Sequence, residues 1–401
     1  VAADARIQAD AVDDLAGVHA PGHGIAVQFV EEGHPHRKIS IGKELDRLGL
    51  IDVGIKDFHI LFDRAFQKHI GKGRGAFGMF ADNDPQIAFI LHGDRSALEP
   101  AVARKQVLAG RVEIRHSDKV IPMTEKPSHA LRNGKGSSMW NAVECVKDGD
   151  AAVAVSCGNT GALMAVSMLV LRKAPGVHRP AIAVNWPSRN PSGFNIMLDM
   201  GADIRAEARD LVTYAVMGAA YARHGMDLAV PRVGLLNVGT EEHKGRDALH
   251  EAAEILDKNQ DAFTYVGFVE GSDIPSDTVD VIVTDGFTGN VALKTAEGTA
   301  ALIRGLLKEA FSHSILSRLG ALFAVTSLRR LSQRIDPRGV NGGVFLGLNG
   351  TVIKSHGSAD ATGVSAAIKL AARLGHGGFG ERLAARVASA PVPAHDTSTK
   401  S

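Results

Sequence analysis

Cysteine, aromatic residues, net charge and long apolar runs are all scarce in this chain of 401 residues. Its two cysteines, Cys145 and Cys157, cannot build a disulfide framework, and the chain has no Cys-x-x-Cys motif, so a reducing, cytoplasmic compartment fits best. A net charge of +1 and an aromatic content of 5% give no support to a nucleic-acid-binding surface. Without an apolar run of ~18 residues, the chain is predicted to be soluble or peripheral rather than membrane-spanning.

Short apolar segments alternate with helical patterns from about Asn83 onward. A short run of β-branched residues is typical of a buried parallel strand, and the stretches between such runs have a helical period, as in Ala208–Tyr221 and Ala248–Leu256. This alternation predicts an α/β fold with a parallel or mixed sheet wrapped by helices. The predicted strands are Ile87–Leu91, Ala151–Val155, Ala181–Trp186, Asn195–Leu198, Val233–Val238, Tyr265–Val269, Val279–Val283 and Thr351–Ile353.

The two ends of the chain differ from this pattern. Residues 1–76 carry broken and mutually contradictory helix and strand patterns, and we interpret them as an anomalous segment ahead of a domain that spans residues 77–388. The tail, residues 389–401, is rich in Pro, Ser and Thr and is predicted to be disordered.

Two loops rich in glycine each close a predicted strand and open a predicted helix. The first loop is Ser156–Gly161, and the second loop is Thr284–Asn290. Glycine lets the backbone turn sharply and lets a ligand approach it, while the first turn of a helix offers unpaired N–H groups to an anion. Two such junctions predict a phosphate-binding crevice at the carboxyl edge of the sheet.

The first loop admits two interpretations. Asn159 and Thr160 fit phosphate donors acting together with the amides of Gly158 and Gly161, and they fit a helix cap equally well. Cys157 lies inside the same loop, but no base that would activate its thiol is recognisable. A small buried filler is therefore favoured over a nucleophile at this position.

The second loop shows the same ambiguity with different side chains. Asp285 either orients a ligand or a cationic partner, or it caps the following helix. Lys294 follows Asn290 by one turn on the same helix face, where it either neutralises a phosphate or is simply solvated. The remaining candidate binding residues of this region are Gly286, Phe287, Thr288 and Gly289.

A third loop, residues 237–245, concentrates charge where another predicted strand ends. Asn237, Glu241 and Lys244 are candidates there because ligands of open α/β sheets bind at strand ends, although a charged surface loop looks similar. His356 is a candidate for acid–base catalysis. None of the 17 histidines shows the spacing of a metal site, so the sequence predicts no metal and no cofactor.

A basic helix entrance lies further upstream. Ser137 or Ser138 is predicted to cap a helix that runs to about Val146, and Arg132 could approach an anion. An ordinary capped helix with a basic entrance would have the same sequence.

Residues 302–334 are predicted to form an amphipathic helical hairpin with an apolar surface ringed by arginines. Its longest uncharged part, Leu319–Leu328, is too short to span lipid. A basic amphipathic helix can lie on an anionic membrane, where each basic residue contributes about 1 kcal/mol. A dimer contact or a core contact would explain the same pattern. The arginines are Arg318, Arg329, Arg330 and Arg334.

Taken together, the motifs follow the order of one family. They are Lys126-Pro127-Ser128, Lys135-Gly136-Ser137-Ser138-Met139, Ser156–Met164, Leu198–Ala202, Pro231–Gly239, Asp285–Asn290, Gly347–Gly350 and Lys354–Gly357. Over about residues 83–386 the chain resembles the bacterial phosphate acyltransferases of phospholipid synthesis, the acyl-carrier-protein:phosphate transacylase (PlsX) family.

The resemblance implies a homodimeric, three-layer α/β/α protein with a mostly parallel, Rossmann-like sheet, related to phosphotransacetylases and to isocitrate-dehydrogenase-like folds. It implies transfer of a long-chain acyl group from acyl carrier protein to inorganic phosphate. A downstream membrane glycerol-3-phosphate acyltransferase would use the acyl-phosphate, and peripheral membrane association is implied as well. The residues expected to act in catalysis are Asn159, Asp285, Asn290, Lys244 and His356.

The N-terminal part departs from the family pattern. The family begins with a strand and an Asp-x-Met-Gly-Gly-Asp type loop, whereas this chain has no Met before Met79 and no Gly-Gly before Gly342. We expect the first strand, that loop and the first helix to be missing or replaced, through a wrong reading frame or a misplaced start. The alternatives to the implied activity are an acyl-coenzyme A donor and an inactive scaffold at a membrane surface.

Overall fold

A computed structural model describes residues 26–28, 59–62, 87–335 and 342–389, apart from positions 242, 261, 358, 360 and 376–377. The anomalous segment, residues 1–76, lies outside the described residues except for two short strands. The predicted disordered tail lies outside them apart from Ser389.

The strands are short, and all eight that the sequence predicts are present. Two further strands, β4 and β11, escape prediction because β4 alternates apolar with charged residues and β11 is a four-residue segment that begins with glycine. In chain order the strands are β1 (Ala26–Gln28), β2 (His59–Phe62), β3 (Ala88–Gly93), β4 (Val112–His116), β5 (Val153–Ser156), β6 (Ala181–Pro187), β7 (Phe194–Leu198), β8 (Arg232–Leu236), β9 (Thr264–Val269), β10 (Val281–Val283), β11 (Gly343–Leu346) and β12 (Thr351–Lys354).

The helices occupy the segments between these strands. Ser137 caps its helix as predicted, by accepting a hydrogen bond from the Trp140 amide at 3.3 Å. The helices are α1 (Arg95–Ala103), α2 (Pro127–Asn133), α3 (Ser138–Asp148), α4 (Thr160–Val170), α5 (Ala208–Gly225), α6 (Asp247–Asp257), α7 (Gly286–Ser312), α8 (Ile315–Ile335), α9 (Ala361–Gly375) and α10 (Phe379–Ala388).

The strands form one twelve-stranded sheet in the order β4-β3-β1-β2-β5-β12-β11-β6-β7-β10-β8-β9. β5 and β12 are parallel, and on the other side of the sheet β7, β10, β8 and β9 are parallel. Between these groups, β11 is antiparallel to both β12 and β6, and β6 is antiparallel to β7. The strand direction therefore reverses three times between β12 and β7, and the two parallel groups point in opposite directions.

Two strands from the anomalous segment lie between β3 and β5. β2 pairs in parallel with both of these neighbours, and β1 pairs antiparallel with β3. An interior position of the sheet is thus filled by residues of the segment that departs from the family pattern.

Alternate residues of each strand pack on opposite faces of the sheet, and helices cover both faces. Val153 and Val155 of β5 lie in one apolar cluster, whereas Ala154 between them lies in the other. The first cluster includes residues of α5, α9 and α10, and the second includes residues of α4. This is a three-layer α/β/α arrangement, which confirms the fold class implied by the resemblance.

Candidate active site

The side chain of Asn159 builds the first loop. Its Oδ1 caps α4 by accepting a hydrogen bond from the Ala162 amide at 2.9 Å. Its Nδ2 donates to the carbonyl oxygens of Met123 and Glu125, at 2.6 Å and 2.9 Å. Because the side-chain amide has two N–H hydrogens, both are used in tying α4 to this neighbouring segment.

The first backbone amides of α4 lie open at the surface. Thr160 and Gly161 are exposed, and their N–H groups have no acceptor among the described residues. The Gly158 amide, by contrast, donates to the Ser156 hydroxyl at 3.1 Å. A β-carbon added to Gly161 would lie 3.0 Å from Pro127 Cγ, so α2 and α4 approach closely here. The start of α4 therefore offers two unpaired donors to an anion.

The segment after β12 lies beside the first loop. The Ser355 amide donates to the Ser156 carbonyl at 2.8 Å. A β-carbon added to Gly357 would lie 3.4 Å from the Cys157 carbonyl oxygen and 2.9 Å from Met123 Cε. Cys157 itself is buried, which fits the expected filler role. The first loop, the Met123 segment and the segment after β12 therefore form one contiguous cluster.

α7 lies next to this cluster, because its residue Glu297 approaches His356. The Nε2 of His356 lies 3.9 Å from Glu297 Oε1, and the other oxygen of Glu297 accepts from Lys294 Nζ at 2.7 Å. Burial lowers the pKa of His356, and the positive charges of Lys354 and Lys294 lower it further against the opposing effect of Glu297. These effects favour the neutral form of the imidazole, which lies near both Lys294 and Glu297.

Asp285 organises the second loop as the N-cap of α7. Its carboxylate accepts from the Thr288 amide at 2.9 Å, from the Thr288 hydroxyl at 3.0 Å and from Arg246 Nη2 at 2.6 Å. The aspartate is buried, whereas the Arg246 side chain is 53% exposed. The positive end of α7 is thus already matched by a carboxylate of the protein.

A second buried carboxylate, Asp199, lies behind this loop. It accepts hydrogen bonds from the amides of Ile182, Gly201, Ala202 and Asp203. These bonds lower its pKa, but burial raises it more, to about 6.

The start of α7 packs directly on the Asp199 segment. The Gly286 amide donates to the Asp203 carbonyl at 2.7 Å. A β-carbon on Gly289 would lie only 2.0 Å from the Asp199 carbonyl oxygen, and one on Gly201 would lie 3.6 Å from Asn290 Cβ. A β-carbon on Gly286 would likewise lie 2.6 Å from Asp199 Oδ2 and 2.8 Å from the Asp203 carbonyl oxygen, so close backbone approach requires glycine at both Gly286 and Gly289.

Residues of the third loop pair with one another. Lys244 Nζ lies 2.7 Å from Glu241 Oε1, an ion pair between exposed side chains that lowers the pKa of Glu241 and raises that of Lys244. Asn237 Nδ2 donates to the Lys244 carbonyl at 2.8 Å. Arg246, which follows this loop, reaches Asp285, so the second and third loops meet.

Sequence comparison identifies the family. The profile of a family described as "Fatty acid synthesis protein" matches residues 79–382. The chain is 66% identical over 321 residues to a phosphate acyltransferase from Ruegeria sp. (strain TM1040), which covers 80% of this chain and 86% of that protein. It is 65% identical over 316 residues to a phosphate acyltransferase from Paracoccus denitrificans (strain Pd 1222), covering 78% and 85%. The chain belongs to the bacterial phosphate acyltransferase family.

As a member of the phosphate acyltransferase family, the chain is an acyltransferase, and the resemblance read from its motifs is confirmed. Among solved structures it is similar to a phosphotransacetylase from Streptococcus pyogenes, with 17% sequence identity and a TM-score of 0.48 over 71% of this chain and 85% of that chain. Among the described residues, no helix is both long and apolar enough to cross a bilayer, and no group of three or more His, Cys, Asp or Glu side chains is placed to hold a metal ion.

The first and second loops do not lie at the same edge of the sheet in this phosphate acyltransferase, so that part of the predicted crevice is wrong. The strands that end at these loops, β5 and β10, belong to the groups that point in opposite directions. α7 links the two regions, because it begins at Asp285 and reaches His356 through Glu297. At 1.5 Å per residue, Glu297 lies about 18 Å along the helix from Asp285.

Several predicted binding residues are buried in the core, cap a helix or lie exposed at the surface. Ser137 and Ser138 are fully buried, and Ser137 is used as the cap of α3. Arg132 is exposed, and its Nε donates to the Ser128 carbonyl within its own helix. Phe287 is 63% exposed at the start of α7 and makes no part of the core. These positions fit the structural alternatives that the sequence left open.

Three residues of this phosphate acyltransferase carry interactions that motif reading did not assign. Arg246 pairs with Asp285, Asp199 supports the start of α7, and Lys354 contributes positive charge near His356. Asp199 and Lys354 lie inside motifs quoted for the family, so the sequence marks these two positions but does not show what their side chains contact. Arg246 lies 39 residues from its partner, and nothing local in the sequence signals that contact.

Proposed function

We propose that this protein transfers a long-chain acyl group from acyl carrier protein to inorganic phosphate, and that the acyl-phosphate serves phospholipid synthesis. The observation that carries the proposal is the open start of α4, where the amides of Thr160 and Gly161 lie in the cluster that also holds His356 and Lys294. Relatives named phosphate acyltransferase support phosphate as the acceptor.

Free backbone donors distinguish the two helix starts as phosphate sites. The amides of Thr160 and Gly161 at the start of α4 have no acceptor among the described residues, and Lys294 and Lys354 lie near His356 beside the first loop. At the start of α7, the Gly286 amide donates to the Asp203 carbonyl and the Thr288 amide donates to the Asp285 carboxylate. More donors are therefore open to a phosphate at α4, and we place it there.

The reaction needs no covalent enzyme intermediate. An oxygen of HPO₄²⁻ attacks the thioester carbon, the C–S bond breaks, and the proton of the phosphate ends on the sulfur of the released carrier thiol. His356, being neutral, takes that proton and returns it to the sulfur. The α4 amides and Lys294 hold the attacking phosphate, and Asn290 is the donor for the negative charge that develops on the carbonyl oxygen. The loss of one such donor typically costs about 2.7–4 kcal/mol of barrier.

The other expected catalytic residues act through position. Asn159 holds α4 against the Met123 segment, and Asp285 fixes the start of the helix that carries Lys294. Asn290 lies one turn before Lys294 on the same side of α7, where it can donate to the acyl-phosphate. Lys244 pairs with Glu241 and so stabilises the third loop. This loop meets the second loop where Arg246 pairs with Asp285.

We also propose that the protein is a cytoplasmic homodimer that contacts the membrane peripherally. The exposed apolar side chains of α7 and α8 support both contacts. Leu316 and Phe323 are 83% and 86% exposed, and Leu302, Ile303 and Leu306 add to the same hairpin. Exposed apolar side chains in this number on one hairpin favour contact with a partner or a membrane. Delivery of acyl-phosphate to a downstream membrane glycerol-3-phosphate acyltransferase would follow. The predicted arginine ring cannot be placed, because those side chains lie outside the described residues.

The deciding assay incubates the purified protein with palmitoyl-acyl carrier protein and phosphate, and traps acyl-phosphate with hydroxylamine. We expect phosphate-dependent hydroxamate with this donor and much less with palmitoyl-coenzyme A. Equal rates with both donors would favour the coenzyme A alternative. No phosphate-dependent product, together with retained binding to anionic vesicles, would replace the enzyme proposal with the scaffold alternative.

The phosphate position is tested by Lys294→Gln, with Lys308→Gln as a matched control on the same exposed helix. Loss of a charged contact to phosphate should raise KM for phosphate about tenfold. The control should leave KM unchanged. Equal values for both variants would show that the phosphate does not lie next to Lys294.

A further inference from the structure

A groove lies between α5, α6 and α10 and runs along α5 from Val212 to His224. Its buried lining belongs to the apolar cluster that includes residues of α9 and α10, whereas Ala292 and Leu293 of α7 pack against the other cluster, so the groove and α7 lie on opposite faces of the sheet. Its volume is about 430 Å³. This falls in the range of small-molecule pockets, which are typically about 300–1,000 Å³.

The floor of the groove is apolar and buried. It is built by side chains from the core-facing side of α5, from the end of α6 and from the segment before β9. Ala385 of α10 lies at its open side and is exposed. The buried lining residues are Val212, Val216, Ala219, Ala220, Leu256 and Phe263.

The rim of the groove is basic. Arg223 and His224 end α5, while Arg382 and Arg386 lie one turn apart on α10, and all four are exposed. Among the described residues, no carboxylate forms an ion pair with any of these three arginines. Partial desolvation of the exposed His224 imidazole lowers its pKa, and the nearby charges of Arg382 and Arg223 lower it further.

We propose that this groove binds a single-chain amphiphile with an anionic head group, such as a fatty carboxylate or another acyl compound with a terminal anion. The apolar floor would take the chain, and the guanidinium groups of the rim would pair with the head. A purely apolar lipid would leave the arginines unmatched, and a simple inorganic anion would leave the floor empty. The groove is also too small for a folded partner, whose interface needs about 800 Å² on each side.

This binding does not depend on the proposed reaction. It uses a different part of the fold, and it is measured without turnover, so a failure of the acyl transfer assay and a failure of this inference are separate results.

The test is isothermal titration of the full-length protein with decanoate, with decan-1-ol and inorganic phosphate as comparison ligands. We expect decanoate to bind at least about tenfold more tightly than either comparison ligand, because only decanoate uses both the floor and the rim. Equal affinity for decan-1-ol would overturn the role of the basic rim. Equal affinity for phosphate would overturn the role of the floor.

Variants assign the binding to the groove. Arg382→Gln and Arg386→Gln should each weaken decanoate binding about tenfold, and Ala385→Trp should abolish it by filling the open side. Lys369→Gln, on the exposed side of the neighbouring α9, is the matched control and should bind like the unchanged protein. Arg382, Arg386 and Ala385 are exposed, so these changes leave the core intact. Unchanged binding in all three groove variants, or no binding of decanoate at all, would overturn the inference.

Discussion

Replacing Gly289 by alanine should displace the start of α7. The added β-carbon would lie 2.0 Å from the Asp199 carbonyl oxygen and 3.1 Å from Met200 Sδ. The first distance is far inside the optimal carbon contact of about 3.5–4.0 Å. Since the obstructing atom belongs to the backbone, no side-chain rotation can relieve the contact, and the helix itself has to move.

The expected cost follows from overpacking. Inserting a methyl group into a tightly packed site typically costs about 1–3 kcal/mol, and a backbone obstacle favours the upper end. The same helix offers a matched control, because a β-carbon on Gly298 would meet nothing within 4 Å. At that exposed position, Gly→Ala should stabilise the helix by up to about 1 kcal/mol through propensity alone.

The two variants are compared by urea unfolding and by phosphate-dependent acyl transfer. Gly289→Ala should lower the unfolding midpoint and Gly298→Ala should raise it, with at least about 2 kcal/mol between them. Because Lys294 lies on the displaced part of α7, Gly289→Ala should also reduce turnover, and a misplacement of about 1 Å can cost about 100-fold. An unchanged midpoint and full activity for Gly289→Ala would refute the close approach of α7 to Asp199.

Three further substitutions test the caps and the buried carboxylate. Asn159→Ala should destabilise the protein by about 1–2 kcal/mol and raise KM for phosphate, measured by urea unfolding and initial rates. Asp285→Ala should cost about 1–2 kcal/mol in the same unfolding assay as a lost cap, and it also leaves the half-exposed Arg246 side chain without its partner. The raised pKa of Asp199, about 6, means that its contribution to stability is present below about pH 4 and lost as the pH rises through about 6. As the pH rises from about 4 to about 7, the free energy of unfolding of Asp199→Asn should therefore fall less than that of the unchanged protein. Parallel pH profiles of the two proteins would contradict this.

Local elements of this fold are readable from the sequence because their causes are local. The runs at Ala151–Val155 and Val279–Val283 form buried strands, and Ser137, Asn159 and Asp285 lie where caps are expected. The sequence could not decide whether Asn159 caps a helix or binds phosphate. Its capping contact is local, but its bonds to Met123 and Glu125 depend on a segment more than thirty residues away.

The relative direction of the two strand groups was not predictable in this way. It depends on β11, whose four residues pair with β12 on one side and β6 on the other. The composition of a strand does not show which strand it pairs with. β6, for example, lies about 160 residues before its partner β11. A prediction based on strand ends alone therefore placed the two loops together, whereas the three reversals of strand direction between β12 and β7 separate them.

The separation of the loops explains why one helix contributes to both regions. α7 begins at a carboxylate-rich site, where Asp285 satisfies its first turn and Asp199 supports its backbone. Three turns later the same helix presents Lys294 and Glu297 to His356, beside the open amides of α4. We propose that phosphate binds at the second place, since the amides of Gly286 and Thr288 at the first place already have acceptors. On this proposal the second loop acts on the reaction by fixing the position of Lys294, and any change that moves the start of α7 should alter phosphate binding without touching the phosphate site.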